Sequence, residues 1–241
     1  MKLINNIVEP KEIGILWQPS IDGNTQKPAG ERFIVGKITN AGEQAELVYF
    51  NSSDVEQAEK QGFTGLTAYP FDSKNNTHKG GIESVLSRRL PPDSRGDYDY
   101  FLRSYRISPD AAKSASPLTL LAYTVGNIMG DGFSFYPIYE ENIFPSEFSF
   151  EIAGFRHNGK LHYPEPKVLQ DKEISFELDD SNAYDKSAIK VMLDGKNLGY
   201  VPKGLNTLIR NILQAKKISA VIERINGTLE RPSVLVFCTV G

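Results

Sequence analysis

Cysteine and histidine are scarce in this sequence, and their scarcity excludes two kinds of site. The 241 residues include one cysteine and three histidines. Because Cys238 has no partner in the chain, no disulfide framework can form, and we expect a reducing compartment. His78, His157 and His162 do not show the spacing of metal ligands, and one cysteine cannot complete a structural zinc site. We therefore expect neither a metal nor a cofactor.

Long apolar runs are missing as well. No stretch approaches the ~18 to 20 apolar residues that a membrane-spanning helix needs. The first six residues lack the apolar core of a signal peptide. These absences predict a cytoplasmic protein without a membrane partner. Hydrophobic residues make up 40% of the chain, enough for one or two cores, and the length favours two domains.

A strong excess of charge of one sign is also absent, since the formal net charge is −3 at pH 7. Residues 151–241 hold 13 basic and 11 acidic residues, whereas the rest of the chain holds 14 and 19. Backbone-wide binding of duplex DNA needs a stronger basic stripe. If the C-terminal part binds nucleic acid, we expect a short footprint at the end of a strand.

The most informative segment is a turn followed by a hairpin. Asn182, Tyr184 and Asp185 place an amide, a phenol and a carboxylate within four residues. The alternating segment at 188–193 predicts a strand, and the next strand ends in a Gly-Tyr-Val-Pro corner at 199–202. Polar and aromatic groups gathered at one loop can hold a small polar end group, such as the terminus of a nucleic-acid strand.

The rest of the C-terminal part predicts a small β-rich module. Further strands are expected at 174–178, 218–225 and 234–240. Asp194-Gly195 is suited to a hairpin turn, because glycine tolerates a positive φ. After Pro202, apolar residues recur at helical spacing, at positions 205, 208, 209, 212 and 213.

These residues resemble the HIRAN domain over about residues 150 to 240. Residues 152–157 are similar to the first strand of that family, and the run from Asn182 to Val191 follows its Asn-x-Tyr-Asp-x-x-Ala-Ile-x-Val pattern. Residues 179–181, Asp-Asp-Ser, stand where the family usually has Glu-Pro. The resemblance implies a small OB-like β-barrel with flanking helices. It also implies recognition of single-stranded DNA 3′ ends.

The resemblance implies roles for the turn residues. Asp185 would accept a hydrogen bond from a terminal hydroxyl, and Tyr184 would form a wall against the terminal nucleotide. Asn182 would belong to the same site. The alternative is that Asn182 and Asp185 only fix the turn by accepting hydrogen bonds from backbone N–H groups. The sequence leaves both possibilities open.

Four further residues are candidates for DNA contacts. The planar guanidinium of Arg156 can bind phosphate oxygens with two hydrogen bonds, and His157 can stack on a base. Tyr200 and Lys203 flank the corner and are placed to contact sugar and phosphate. The alternatives are a solvated arginine at a strand end and an ordinary surface histidine.

A nuclease site is the catalytic alternative for the same region. Asp179, Asp180, Asp185 and Lys186 have its residue types. Metal-dependent nucleases bring acidic residues together from separate elements, however, and three acids in one turn are typical of a solvated loop. We expect no catalytic residues here.

The N-terminal part predicts a different, mixed α+β layout without internal repeats. Strands are expected at 13–18, 32–38, 46–50 and 133–137. A capping box at 53–56 predicts a helix that ends by Gly62, and a second helix is expected at 98–105. Ser116 and Pro117 predict a third helix, whose apolar positions 118, 121, 125 and 128 extend it to the Gly-Asp-Gly segment at 130–132.

Residues 90–95, 98–102 and 130–135 resemble the N-terminal lobe of HipA-type serine/threonine kinases. No catalytic-loop Asp with a downstream Asn, metal-binding Asp motif or nucleotide loop occurs at suitable spacing. The resemblance therefore implies an interaction lobe rather than a kinase.

Together these patterns predict an α+β protein with an interaction domain at 1–137, a linker at 138–149 and a DNA-end-binding domain at 150–241. The predicted function is non-catalytic binding of single-stranded DNA 3′ ends, with an N-terminal lobe that couples to a protein partner. The alternative function is a regulatory or antitoxin-like subunit of a HipA-type kinase in a toxin–antitoxin or phage-defence system.

Overall fold

The computed structural model describes residues 1–19, 31–39, 42–128 and 130–241. The chain divides into two units. The mixed unit consists of Glu9–Tyr105 and Ala112–Glu140, and the barrel unit consists of Met1–Val8, Arg106–Ala111 and Glu141–Gly241. Within the described ranges, every helix is too short or too polar to cross a bilayer.

The chain is built from short strands and short helices. The elements of the first part are β1 (Glu12–Trp17), β2 (Phe33–Thr39), β3 (Glu46–Tyr49), α1 (Ser53–Lys60), β4 (Gly65–Leu66), β5 (Tyr69–Pro70), β6 (Thr77–Lys79), α2 (Ile82–Leu86), α3 (Tyr98–Ser104), α4 (Pro109–Ala112), α5 (Pro117–Tyr123) and β7 (Phe133–Ile138). Those of the second part are β8 (Glu147–Glu151), α6 (Gly159–His162), β9 (Glu173–Leu178), β10 (Ile189–Leu193), β11 (Lys196–Tyr200), α7 (Asn206–Ala215), β12 (Ile218–Gly227) and β13 (Pro232–Val240). The predicted α+β class is confirmed.

The mixed unit is built on an antiparallel sheet in the order β6-β3-β2-β1-β7. Residues 13–17 of β1 are all buried, so both faces of this strand are covered, and Ile13, Ile15 and Trp17 belong to the main core. Helices α1 and α5 supply apolar residues to the same core, among them Val55 and Leu121. The mixed unit thus has its own hydrophobic core.

Two helix ends in the mixed unit differ from the sequence prediction. Helix α1 is capped by Ser52 rather than Ser53, because the Ser52 hydroxyl accepts the hydrogen bond from the Val55 N–H. Helix α5 begins at the predicted Ser116 cap but ends at Tyr123, before residues 125 and 128. Val125 adopts a positive φ of 64°, and its carbonyl accepts a hydrogen bond from Phe135 of β7 at 2.9 Å. The pairing with β7 therefore replaces the last predicted turn of the helix.

The barrel unit contains a six-stranded antiparallel sheet in the order β11-β10-β9-β12-β13-β8. Its two edges are joined just beyond β8: Ala153 and Tyr200 exchange two backbone hydrogen bonds of 2.8 Å. Because β11 is one edge strand and β8 the other, these bonds curl the sheet into a barrel. The predicted OB-like barrel with flanking helices is confirmed.

A glycine permits the close approach of the two edges. Gly199, on β11, has a φ of 142°, and a Cβ built there would lie 2.5 Å from the carbonyl oxygen of Ala153. A side chain at this position would push the bridging segment away from β11. The closure of the barrel therefore requires glycine at residue 199.

The segment that was predicted to be the first barrel strand is mostly a turn. Strand β8 ends at Glu151, and after the Ala153 bridge the chain turns, with Gly154 at a φ of 71°. The N–H of His157 donates to the Gly154 carbonyl at 2.9 Å, which closes this turn. The prediction of a strand at 152–157 was wrong because Gly154 adopts a left-handed conformation that ends the extended backbone.

The first eight residues belong to the barrel unit through a buried carboxylate on β12. Glu223 accepts a hydrogen bond from the Lys2 backbone N–H at 3.0 Å and forms an ion pair with Arg106 at 3.4 Å. Both charged side chains are buried. Ile4 forms a parallel bridge with Ile107 in the same unit. Segments far apart in the sequence thus meet at Glu223.

Replacing Glu223 is expected to destabilise the barrel unit strongly. In Glu223→Gln, the buried ion pair with Arg106 loses its negative member, and breaking such a pair costs about 3 to 5 kcal/mol. Glu177→Gln is the matched control, because Glu177 pairs with Lys190 at an exposed position, where ion pairs contribute less than about 1 kcal/mol. Urea unfolding measures both losses, and equal losses would contradict the assignment.

The requirement for glycine at residue 199, where the barrel closes, can be tested by substitution. Gly199→Ala is expected to lower the free energy of unfolding by about 1 to 3 kcal/mol more than Gly195→Ala. Both glycines have a positive φ, but a Cβ at Gly195 meets no atom within 4 Å, so only the Gly199 substitution adds a clash. Thermal or urea unfolding of the two variants gives the difference, and the absence of any difference would refute the close contact with Ala153.

Candidate nucleic-acid interface

The loop at residues 179–188, between β9 and β10, carries the turn that the sequence analysis singled out. Three backbone hydrogen bonds close it: the Asp179 N–H donates to Ala188 at 2.9 Å, the Asn182 N–H to Asp179 at 2.9 Å, and the Ala188 N–H to Asp185 at 3.0 Å. A loop tied at both ends and in the middle has few alternative conformations. Its side chains are therefore presented in a fixed arrangement.

Asn182 fixes the turn. Its side-chain oxygen accepts hydrogen bonds from the backbone N–H groups of Tyr184 at 2.9 Å and Asp185 at 3.1 Å. Its amide group donates to the Asp179 carboxylate at 3.1 Å. The contacts of Asn182 thus agree with the alternative in which it fixes the turn.

Tyr184 is the most exposed large hydrophobic side chain of the barrel unit among the described residues, with 85% of its surface accessible. The backbone beneath it is held by Asn182, whereas the ring stands in solvent. An aromatic ring on a fixed loop offers a stacking face for a base at little ordering cost.

Asp185 is partly occupied by the loop itself. One carboxylate oxygen accepts hydrogen bonds from the Ser187 N–H at 2.8 Å and the Ser187 hydroxyl at 2.6 Å. The other accepts from the side-chain amide of Asn206 at 2.9 Å. A carboxylate has about four acceptor positions, so these three bonds leave capacity for one further donor.

Asp179 is a central residue of this loop, although the sequence analysis considered it only for the nuclease alternative and not for DNA binding. Its side chain is buried and accepts hydrogen bonds from Ser181 at 3.1 Å, Asn182 at 3.1 Å and the Tyr200 hydroxyl at 3.2 Å, and Lys190 lies at 3.5 Å. The Asn182 hydrogen bond above all, with those of Ser181 and Tyr200 and the charge of Lys190, outweighs burial and lowers the pKa of Asp179. The sequence feature that could have identified Asp179 is an Asp directly after a strand, at the start of the run Asp-Asp-Ser-Asn at 179–182.

The three acidic residues of the loop bond to different partners. Asp179 is held by the groups just described, Asp185 by Ser187 and Asn206, and Asp180 by Arg210 at 2.7 Å. Within residues 1–19, 31–39, 42–128 and 130–241, no group of three or more His, Cys, Asp or Glu side chains is arranged to hold a metal ion.

Tyr200 connects the 179–188 loop with the turn that follows β8. Its hydroxyl donates to Asp179, and its backbone pairs with Ala153. The turn after Ala153 carries Arg156 and His157, both exposed, with a guanidinium nitrogen of Arg156 3.1 Å from the His157 Nε2. The structure thereby attaches both groups of predicted residues to the same edge strand, β11.

The remaining predicted residue, Lys203, is half-buried and begins the helical turn Lys203–Leu205 that leads from β11 to α7. The sequence analysis missed two residues of α7 that contact the 179–188 loop, Asn206 and Arg210. Little in the sequence indicated these two contacts, because Asn206 and Arg210 are polar residues on a helix that was predicted only from the spacing of its apolar residues.

The pH dependence of stability can test the Asp179 network. A lowered pKa in the folded state means that Asp179 contributes stability above its unfolded value of about 3.8, and that this contribution is lost as the pH falls through the folded pKa. We expect Asp179→Asn to be less stable than the wild type at pH 6, and the difference to shrink below about pH 4.

Urea unfolding between pH 2 and pH 7 measures this difference. Asp194→Asn, at the exposed hairpin turn, controls for removing one carboxylate. If the gap between the wild type and Asp179→Asn stayed constant across the whole range, the carboxylate of Asp179 would not be the group that holds the loop.

Comparison with known proteins adds a domain match for the same part of the chain. Residues 145–240 match the family model of the HIRAN domain. Among solved structures, the HIRAN domain of human HLTF is 21% identical, with 39% of this chain and 74% of that chain covered and a TM-score of 0.31. A protein from Lactobacillus plantarum is 14% identical, with 39% and 99% covered and a TM-score of 0.29. No curated protein matches the chain.

Proposed function

Because residues 145–240 form a HIRAN domain, a DNA-binding module, we propose that this protein binds single-stranded DNA at a free 3′ end through the 179–188 loop. The observation that carries the proposal is the exposed ring of Tyr184, 85% accessible, beside the carboxylate of Asp185 on a loop that its own hydrogen bonds hold in place. The HIRAN resemblance found in the sequence is confirmed at the level of the domain.

Two complementary contacts would recognise the terminal nucleotide. The ring of Tyr184 would stack on the terminal base, a contact that tolerates any sequence because every base has an aromatic face. The remaining acceptor capacity of Asp185 suits the terminal 3′ hydroxyl, which is a donor. A 3′ phosphate in that place would bring negative charge to the carboxylate and be repelled.

The basic residues would contact the phosphates just before the terminus. Arg156, exposed on the turn after β8, can bind phosphate oxygens with two parallel hydrogen bonds. His157 beside it would stack on or bond to the preceding nucleotide, and Tyr200 and Lys203 would contact sugar and phosphate. The near balance of 13 basic and 11 acidic residues in 151–241 supports a short footprint.

The mixed unit is proposed to couple DNA binding to a protein partner. Its support is the resemblance of residues 90–95, 98–102 and 130–135 to the N-terminal lobe of HipA-type kinases. That resemblance, the coupling role and the non-catalytic character of the protein stay predictions.

Removing the Tyr184 ring should weaken binding without disturbing the fold. Stacking of a base on an aromatic ring contributes about 1 to 3 kcal/mol, so Tyr184→Ala should raise Kd roughly 5- to 150-fold for a short oligothymidylate with a free 3′ hydroxyl. Fluorescence anisotropy at two salt concentrations measures Kd. The melting temperature should stay unchanged, because the ring is exposed.

Tyr100→Ala is the matched control, since Tyr100 is a similarly exposed tyrosine of the mixed unit. It should leave Kd as in the wild type. The same oligonucleotide with a 3′ phosphate should bind the wild-type protein more weakly than the free-ended form. Equal affinity for free and blocked 3′ ends would overturn the proposed function.

A further inference from the structure

Helix α7 presents two polar residues to the 179–188 loop. Asn206 and Arg210 are four positions apart, so they lie on the same side of the helix one turn apart. Asn206 is buried and Arg210 half-buried, whereas Leu208, Ile209 and Ile212 turn their side chains into the core. One helix therefore both packs on the barrel and contacts the loop.

Arg210 binds the second half of the loop. Its Nε donates to the Ser187 carbonyl at 3.0 Å, and one terminal nitrogen lies 3.2 Å from the Lys186 carbonyl and 3.4 Å from that of Ala188. The same nitrogen donates to the Asp180 carboxylate at 2.7 Å. A planar guanidinium with five N–H donors can serve several acceptors at once, which the single ammonium of a lysine cannot reproduce in this geometry.

Asn206 binds the carboxylate at the centre of the proposed site. Its side-chain amide donates to Asp185 at 2.9 Å and lies 3.4 Å from the Ser187 hydroxyl. Its own side-chain oxygen is buried without a hydrogen-bond partner. A buried acceptor without a partner is unfavourable for folding, so this residue calls for an explanation other than stability. The hydrogen bond that the Asn206 amide donates to Asp185 provides such an explanation.

We propose that Asn206 and Arg210 are positioning residues of the 3′-end site. Asn206 holds the Asp185 carboxylate in one orientation. Arg210 fixes residues 186–188, which follow Asp185 in the chain. Neither residue contacts the DNA. This inference rests on the proposed function of the 179–188 loop and names the groups that make the loop selective for a terminal hydroxyl.

The physical consequence is a population effect. Without the Asn206 amide, the Asp185 carboxylate can rotate, and only a fraction of molecules present it in the orientation that accepts the hydroxyl. The apparent Kd rises by the inverse of that fraction, roughly tenfold if a tenth of the molecules remain competent. The penalty falls on DNA with a free 3′ hydroxyl, because a 3′ phosphate does not use this hydrogen bond.

The experiment compares Kd for an oligothymidylate with a free 3′ hydroxyl and for the same oligonucleotide with a 3′ phosphate. The variants are Asn206→Leu, which removes the donor and suits a buried position, and Arg210→Lys, which keeps the charge but loses the planar donor set. Asn211→Leu, at an exposed position of the same helix, is the control. Melting temperatures are recorded for every variant.

Both variants should lower the preference for the free end roughly tenfold, while the control keeps the wild-type preference. If Asn206→Leu fails to fold, Arg210→Lys decides the question alone. Equal weakening of free and blocked oligonucleotides by Arg210→Lys would indicate a direct phosphate contact and overturn the positioning role. An unchanged preference in both variants would also overturn the positioning role. The proposed binding of 3′ ends would still stand in that case if Tyr184→Ala weakened binding. No preference in the wild type would refute the function itself.

Discussion

The two backbone hydrogen bonds between Ala153 and Tyr200 join the edges of the barrel, and the candidate site depends on them. Tyr200 takes part twice, because its backbone closes the sheet while its hydroxyl reaches the Asp179 carboxylate of the 179–188 loop. The turn that carries Arg156 and His157 starts from the other partner, Ala153. Without this closure, the turn after β8 would lie at one edge of an open sheet, and the 179–188 loop would lie between β9 and β10 on the other side of it. Gly199 makes the contact possible, since a side chain there would meet the Ala153 carbonyl.

Within the 179–188 loop, the polar side chains form hydrogen bonds mainly with other loop residues and with Tyr200, Asn206 and Arg210. The aromatic side chain of Tyr184 is exposed to solvent. Asp179 lies buried among four polar groups, whereas Tyr184 is almost fully exposed. The hydrogen bonds that Asn182 and Asp179 make restrict the backbone beneath the Tyr184 ring. A ring on a rigid loop loses little conformational freedom when it stacks on a base. The many internal bonds of the loop are therefore consistent with the proposed binding, because they order the loop in advance.

The local features of the barrel could be predicted from the sequence because neighbouring residues determine them. Strand alternation predicted β9 and β10, the Asp194-Gly195 turn predicted their hairpin continuation, and apolar spacing predicted α7. The closure at Ala153 and the attachment of residues 1–8 through Glu223 could not be predicted, since each joins segments far apart in the chain without a local pattern. The site shows the same division. The turn at 182–185 was predicted from adjacent residues, whereas the roles of Asp179, Asn206 and Arg210 follow from contacts that only the folded chain creates.

The sequence left two interpretations of Asp185 as alternatives, a turn-fixing residue and an acceptor for a terminal hydroxyl. The geometry removes the conflict between them. Three hydrogen bonds from Ser187 and Asn206 hold the carboxylate, which satisfies the first interpretation. They also leave it acceptor capacity and restrict its rotation, and both are requirements of the second. A carboxylate that was free to rotate would have to be ordered at the moment of binding, and affinity would fall accordingly. Under the proposed function, turn fixing and recognition of a strand end would both follow from this one hydrogen-bond arrangement.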